Sequence, residues 1–120
     1  MINTVIIGDR ELKLRASALT SLLYKKLFNE DLLKVVSTIS ETADIDKLIG
    51  LAYVMNLQAE NKNALGDIMN GTVTQMTYYE WLDGFEYSDL LDKDVFATIT
   101  GTWIKNQQTT TNPKNLNRPQ

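Results

Sequence analysis

The spacing of apolar residues changes at Ala16, and that change limits the folds open to this chain. Before it, in ELKLRA, Leu12, Leu14 and Ala16 alternate with Lys13 and Arg15. A period of two marks a half-buried strand. The β-branched run INTVII at 2–7 offers a second strand, and Gly8–Asp9–Arg10 lies between them as the turn, glycine being free to take positive φ. The pattern predicts a β-hairpin at 2–7 and 11–15. A lone two-stranded hairpin is marginal in water, so it must lean on helices or extend another chain's sheet.

After Ala16 the period becomes helical. Leu19, Leu22, Leu23 and Leu27 share one face behind Ser17, a cap candidate. Asn29 is the expected cap of a second helix, with Leu32, Leu33 and Val36 as its stripe. A third helix, IDKLIGLAYVMNLQAE, follows Thr42 and Asp44. Ile45, Leu48, Ile49, Ala52 and Met55 make its stripe, and Leu51, Val54 and Leu57 widen it. Such breadth belongs to the most buried element, or to one with a second face for a partner. Residues 61–75 read as a long connection with one helical turn near 64–69. Thr77-x-x-Glu80 matches a capping box ahead of Tyr78, Trp81, Leu82 and Phe85, and Gly84 ends that short helix. Asp92 or Asp94 starts a last helix carrying Val95, Phe96, Ile99, Trp103 and Ile104.

The expected fold is therefore mainly α with an N-terminal β-hairpin, a small α+β helical domain over 1–104. Its helices are placed at about 18–28, 30–38, 45–60, 78–85 and 93–107. From Lys105 the chain is polar, with Leu116 its only large apolar residue, and reads as a disordered tail over 105–120.

The sequence has no cysteine and no histidine, which excludes disulfides, thiolate metal sites and the histidine-based nucleophile pairs. A formal charge of -3 argues against a general nucleic-acid partner. No window approaches the roughly 18–20 apolar residues of a membrane span, and the opening stretch has no basic leader, so neither membrane nor secretion is expected. The glycines fit no phosphate-loop pattern, and the EF-hand spacing is absent around Asp89, Asp92 and Asp94. No cofactor and no metal are expected.

MTYYEWLDGFEYSDLLDKD at 76–94 holds five of the chain's ten aromatics and six carboxylates. Glu80 and Asp83 stand three apart on one helix face. A glycosidase pair needs an apolar pocket and a partner across the scissile bond, so these acids read as a cap and a solvated face. Trp81, Phe85, Phe96 and Trp103 read as core. Tyr78, Tyr79 and Tyr87 cannot all share that face. They are the first candidates for partner contact, followed by Leu51, Val54 and Met55 on the broad helix.

Three segments, in order, resemble the tail assembly chaperones of long-tailed phages that infect Gram-positive bacteria. IGDRELKLRASALTSLLYKKLFNEDLLKVV matches a hairpin, a small-residue run and a Tyr-x-x-x-Phe pattern closing on F-x-x-D and an apolar doublet. The positions are Tyr24, Phe28, Asp31, Leu32 and Leu33. IDKLIGLAYVMN is similar to an apolar helix of the family, and YYEWLDGFEYSDLL to its E-W-L-D-x-F segment. Together they span most of 5–108, whereas 61–75 is longer and less charged than the family pattern. The resemblance implies a non-enzymatic protein of the host bacterial cytoplasm that coats the tape measure protein until the tail tube protein assembles around it. It further implies absence from the mature virion and a longer form made by a translational frameshift. The unpaired hairpin edge adds a route to a homo-oligomer. Two other readings compete: a head–tail connector or tail-completion subunit, and a small carboxylate-dependent hydrolase.

Overall fold

A computed structural model of the chain describes residues 2–42 and 44–107. It is mostly helical behind an N-terminal hairpin, as the apolar periods predict. Strands β1 (Ile2–Ile7) and β2 (Arg10–Arg15) pair antiparallel, with Ile7 opposite Arg10 and Ile2 opposite Arg15. The loop is thus Gly8–Asp9 alone, and Arg10 belongs to β2 instead of the turn. Gly8 has φ 65°, the positive value that two-residue hairpin loops require for their twist. A Cβ there would also lie 2.5 Å from the Asp89 carboxylate, which would have to turn aside.

Alternation along the strands buries Val5, Ile7, Leu12 and Leu14, and leaves Ile2, Thr4, Ile6, Glu11, Lys13 and Arg15 outside. The inner face rests on α3 (Ile45–Glu60) and α7 (Lys93–Gln107). Two side-chain bonds tie the layers. Asn56 Nδ2 donates to the Lys13 carbonyl at 3.0 Å, and Asn3 Nδ2 to Thr102 Oγ1 at 3.2 Å.

Helix α1 (Leu19–Phe28) begins where Ser17 Oγ accepts the Leu19 N–H at 3.2 Å. Thr20 Oγ1 accepts the Ser17 N–H and donates to Gln58 Oε1 at 2.7 Å, while Gln58 Nε2 donates back to Ser17 Oγ. Thr20 and Gln58 are buried, so this is a closed polar cluster inside the fold. Asn29 does not cap the next helix. It ends α1 in the left-handed region at φ 58°, its N–H on the Lys25 carbonyl. Asparagine tolerates that conformation better than most residues. Asp31 caps α2 (Leu32–Thr42) instead, accepting the Leu33 N–H at 3.0 Å. The buried stripe of α2 is Leu32, Val35 and Ile39, and Leu33 is exposed. Extending the helix past 38 is what lets Ile39 join that stripe.

Helix α3 has the expected bounds, with Asp44 as its cap through the Lys47 N–H. Every residue from Leu48 to Asn56 is buried. The hairpin, α1, α2 and α7 cover it from different sides, so its broad apolar surface is the molecule's core. Helix α4 (Ala64–Met69) is the turn foreseen in the connection.

Helix α5 (Gln75–Leu82) starts a turn earlier than Thr77. Its capping box joins Thr74 and Thr77. Thr74 Oγ1 accepts the Thr77 N–H, and Thr77 Oγ1 accepts the Thr74 N–H at 2.9 Å. Thr77 Oγ1 also lies 3.2 Å from the Tyr53 hydroxyl, which leaves Glu80 no role at the cap. A short helix, α6 (Tyr87–Leu90), follows, and then α7, whose first turn is capped by Asp92 accepting the Asp94 N–H at 2.7 Å. Val95, Ile99 and Trp103 point inward, whereas Ile104 is exposed. Residues 105–107 continue α7, and the rest of the expected tail lies outside the described residues.

Candidate partner-binding site

The C-terminal turn of α1, the N-terminal turn of α3 and the inner face of α5 meet around a groove of about 520 Å³. Helix α1 brings Tyr24 and Phe28, four apart and so on one face, with ring centroids 4.8 Å apart. Helix α5 brings Tyr78 and Tyr79. It is pinned there by Gln75 Nε2, which donates to the Leu27 carbonyl at 3.2 Å, one of the carbonyls α1 leaves unpaired at its end. The Phe28 and Tyr78 rings meet edge to face at 5.1 Å.

From Tyr78 the rings continue. Tyr53 lies 5.1 Å from both Tyr78 and Trp81, Trp81 lies 4.8 Å from Phe85, and the Arg10 guanidinium sits 4.2 Å over the Phe85 ring. Six aromatic side chains thus run in one row from α1 to the hairpin. Edge and tilted contacts of this kind add stability beyond simple burial.

Charge gathers at the mouth. Glu30, Asp44, Asp46 and Lys47 all line the groove. Lys47 Nζ donates to Glu30 Oε2 at 2.6 Å, and that hydrogen bond raises the ammonium's pKa. At the floor, burial and then the nearby Glu30 carboxylate push the Tyr24 phenol well above its ordinary value. Burial and then Asp46 push Tyr78 up to about 12. Both phenols therefore hold their protons at neutral pH. Neither hydroxyl has a hydrogen-bond partner among the described residues, and both residues line the groove.

The structure sorts the six expected contact residues by burial. Tyr79 is exposed at the rim, its hydroxyl a long 3.5 Å from Gln75 Oε1. Tyr87 is exposed on α6, at the edge of a smaller cavity of about 110 Å³ that shares Asp46, Tyr78 and Leu82 with the groove. Tyr78 is a floor residue between the two. Leu51, Val54 and Met55 are no more than 1% exposed and form core, so the broad face of α3 is not a surface for a partner. Tyr24, Phe28 and Lys47 were not singled out as contact residues. The four-residue spacing of Tyr24 and Phe28 was the available signal.

Glu80 on α5 and Asp83 just past its end are exposed. Among the described residues no three acids are placed to hold a metal ion. Compared with known proteins, the chain matches no family profile, no curated protein and no solved structure.

Proposed function

We propose that this protein is a non-enzymatic phage tail assembly chaperone, which binds and shields the tape measure protein before the tail tube protein polymerises around it. The observation that supports this reading is the preformed aromatic groove with Tyr79, 52% accessible, at its rim, and Met76, 63% accessible, exposed on the same helix. An aromatic floor, with an exposed tyrosine and an exposed methionine on the helix that flanks it, suits a helix-in-groove contact with exposed apolar stripes. Many copies along one long chain gain avidity without tight single sites. The resemblance of 7–36, 45–56 and 78–91 to that chaperone family points the same way. On this reading the protein acts in the host bacterial cytoplasm and leaves before the virion is complete. Among the described residues, no helix is long and apolar enough to cross a membrane.

A second reading is a head–tail connector or tail-completion subunit. It draws on the outer face of β1, where Ile2 and Ile6 are 66% and 62% accessible beside an unpaired strand edge. Such an edge favours pairing with another copy.

Two measurements separate them. Co-expression with the long gene product encoded downstream is expected to move that product into the soluble fraction, and no such gain would overturn the chaperone reading. Mass spectrometry of purified virions is expected to find this chain absent or in traces. Stoichiometric recovery would favour the connector.

A further inference from the structure

We propose that the groove between α1, α3 and α5 takes an arginine side chain projecting from an apolar surface of its partner. This rests on reading the groove as a partner surface, and not on the partner's identity.

Charge sets the sign of the occupant. Glu30, Asp44 and Asp46 face Lys47 alone, three negative groups against one positive, a net charge of -2 at the mouth. An acidic peptide or a nucleic-acid phosphate is repelled there, and a cation is drawn in. The floor sets its shape. Tyr24 and Tyr78 are 2% and 7% exposed, and their hydroxyls have no partner among the described residues. Unlike the buried indole nitrogens of Trp81 and Trp103, both phenol oxygens still reach solvent, so an occupant with several N–H donors can take the place of their water. The walls are the rings of Phe28 and Tyr79, whose faces attract cations.

An ammonium group answers the charge but is compact and strongly hydrated. A guanidinium is planar, weakly hydrated and carries five donors, so it can lie on a ring and still reach a carboxylate and a phenol. The molecule already uses this chemistry at the far end of the same aromatic row, where Arg10 lies over Phe85 and points an N–H at the Gly84 carbonyl. Tyr79, exposed at the rim, supplies the ring against which the surroundings of that arginine would rest.

Lys47 gives the inference its sharpest test. Its ammonium already holds Glu30, so it competes with any incoming cation for that carboxylate. Removing it takes the mouth from -2 to -3. The probe is a synthetic alanine–leucine helix carrying one central arginine, titrated into the full chain and followed by amide NMR. A citrulline peptide, equal in shape and uncharged, and a lysine peptide are the controls. Saturable shifts at Gly50 and at the Gln75 side-chain amide are expected, with citrulline about tenfold weaker and lysine in between. Asp46→Asn should weaken the arginine peptide about threefold, and Lys47→Ala should strengthen it by a similar factor. Equal binding of arginine and citrulline, or weaker binding on Lys47→Ala, overturns the inference. The downstream phage product separates the two ideas. If the protein still keeps it soluble while arginine and citrulline bind alike, the inference falls and the chaperone reading stands. Selective arginine binding without any gain in solubility gives the reverse.

Discussion

At the scale of single residues, a few buried polar groups fix how the apolar core is joined. Ser17, Thr20 and Gln58 close a hydrogen-bonded ring that joins the start of α1 to the end of α3. Thr20 and Gln58 are buried and Ser17 is half-buried, so removing either buried member leaves the other unpaired. Thr20→Val and Gln58→Leu should each cost about 1–3 kcal/mol in urea unfolding. The double variant should cost less than the two added together, because it no longer strands a buried partner. Strict additivity would show that the groups act independently. Nothing in the apolar periodicity announces this ring, because Thr20 and Gln58 sit 38 positions apart and only the packed helices bring them together.

At the scale of elements, caps decide boundaries. Thr74 and Thr77 bond each other's backbone N–H at the start of α5, and Glu80 stands a turn further on in solvent. Thr74→Ala should therefore lower stability by about 1 kcal/mol, and Glu80→Ala by less than about 0.5 kcal/mol. Thermal unfolding of the two variants checks the order, and a larger loss for Glu80→Ala would move the helix start back to Thr77. Much of the element order was legible before any coordinates. The alternation in ELKLRA announces β2, and the all-round apolar content of 45–57 announces the buried helix. What stayed hidden depended on choices between equal local signals. Thr74 and Thr77 are both acceptable caps, as are Asn29 and Asp31, and tertiary contacts decide between them: Thr77 meets Tyr53. The groove was half legible. The tyrosines of 76–94 drew notice by being too many for one helix face, but Tyr24, Phe28 and the acids of the α3 first turn come from segments that the sequence holds well apart.

At the scale of the whole molecule, the buried phenols make stability depend on alkaline pH. Tyr78 titrates at about 12 in the folded chain, and the Tyr24 phenol is raised in the same direction. A phenol in the unfolded chain titrates near pH 10. The unfolded chain therefore loses its protons first, so the stabilisation is whole below about pH 10 and drains away as pH climbs towards and through the folded values. The urea midpoint should hold steady around neutrality and fall above about pH 10. Tyr78→Phe should make that fall shallower, and an unchanged slope would show that Tyr78 is not one of the titrating groups. The hairpin has a different consequence for the whole chain. Asn3 meets Thr102 across 99 positions, and the inner face of β1 rests on α7, the last helix among the described residues. During synthesis the hairpin leaves the ribosome well before α7, the helix that covers β1. Val5 and Ile7 stay wet until the segment from Lys93 to Gln107 has emerged, so a nascent chain stopped before α7 presents the same apolar strand that the finished protein hides.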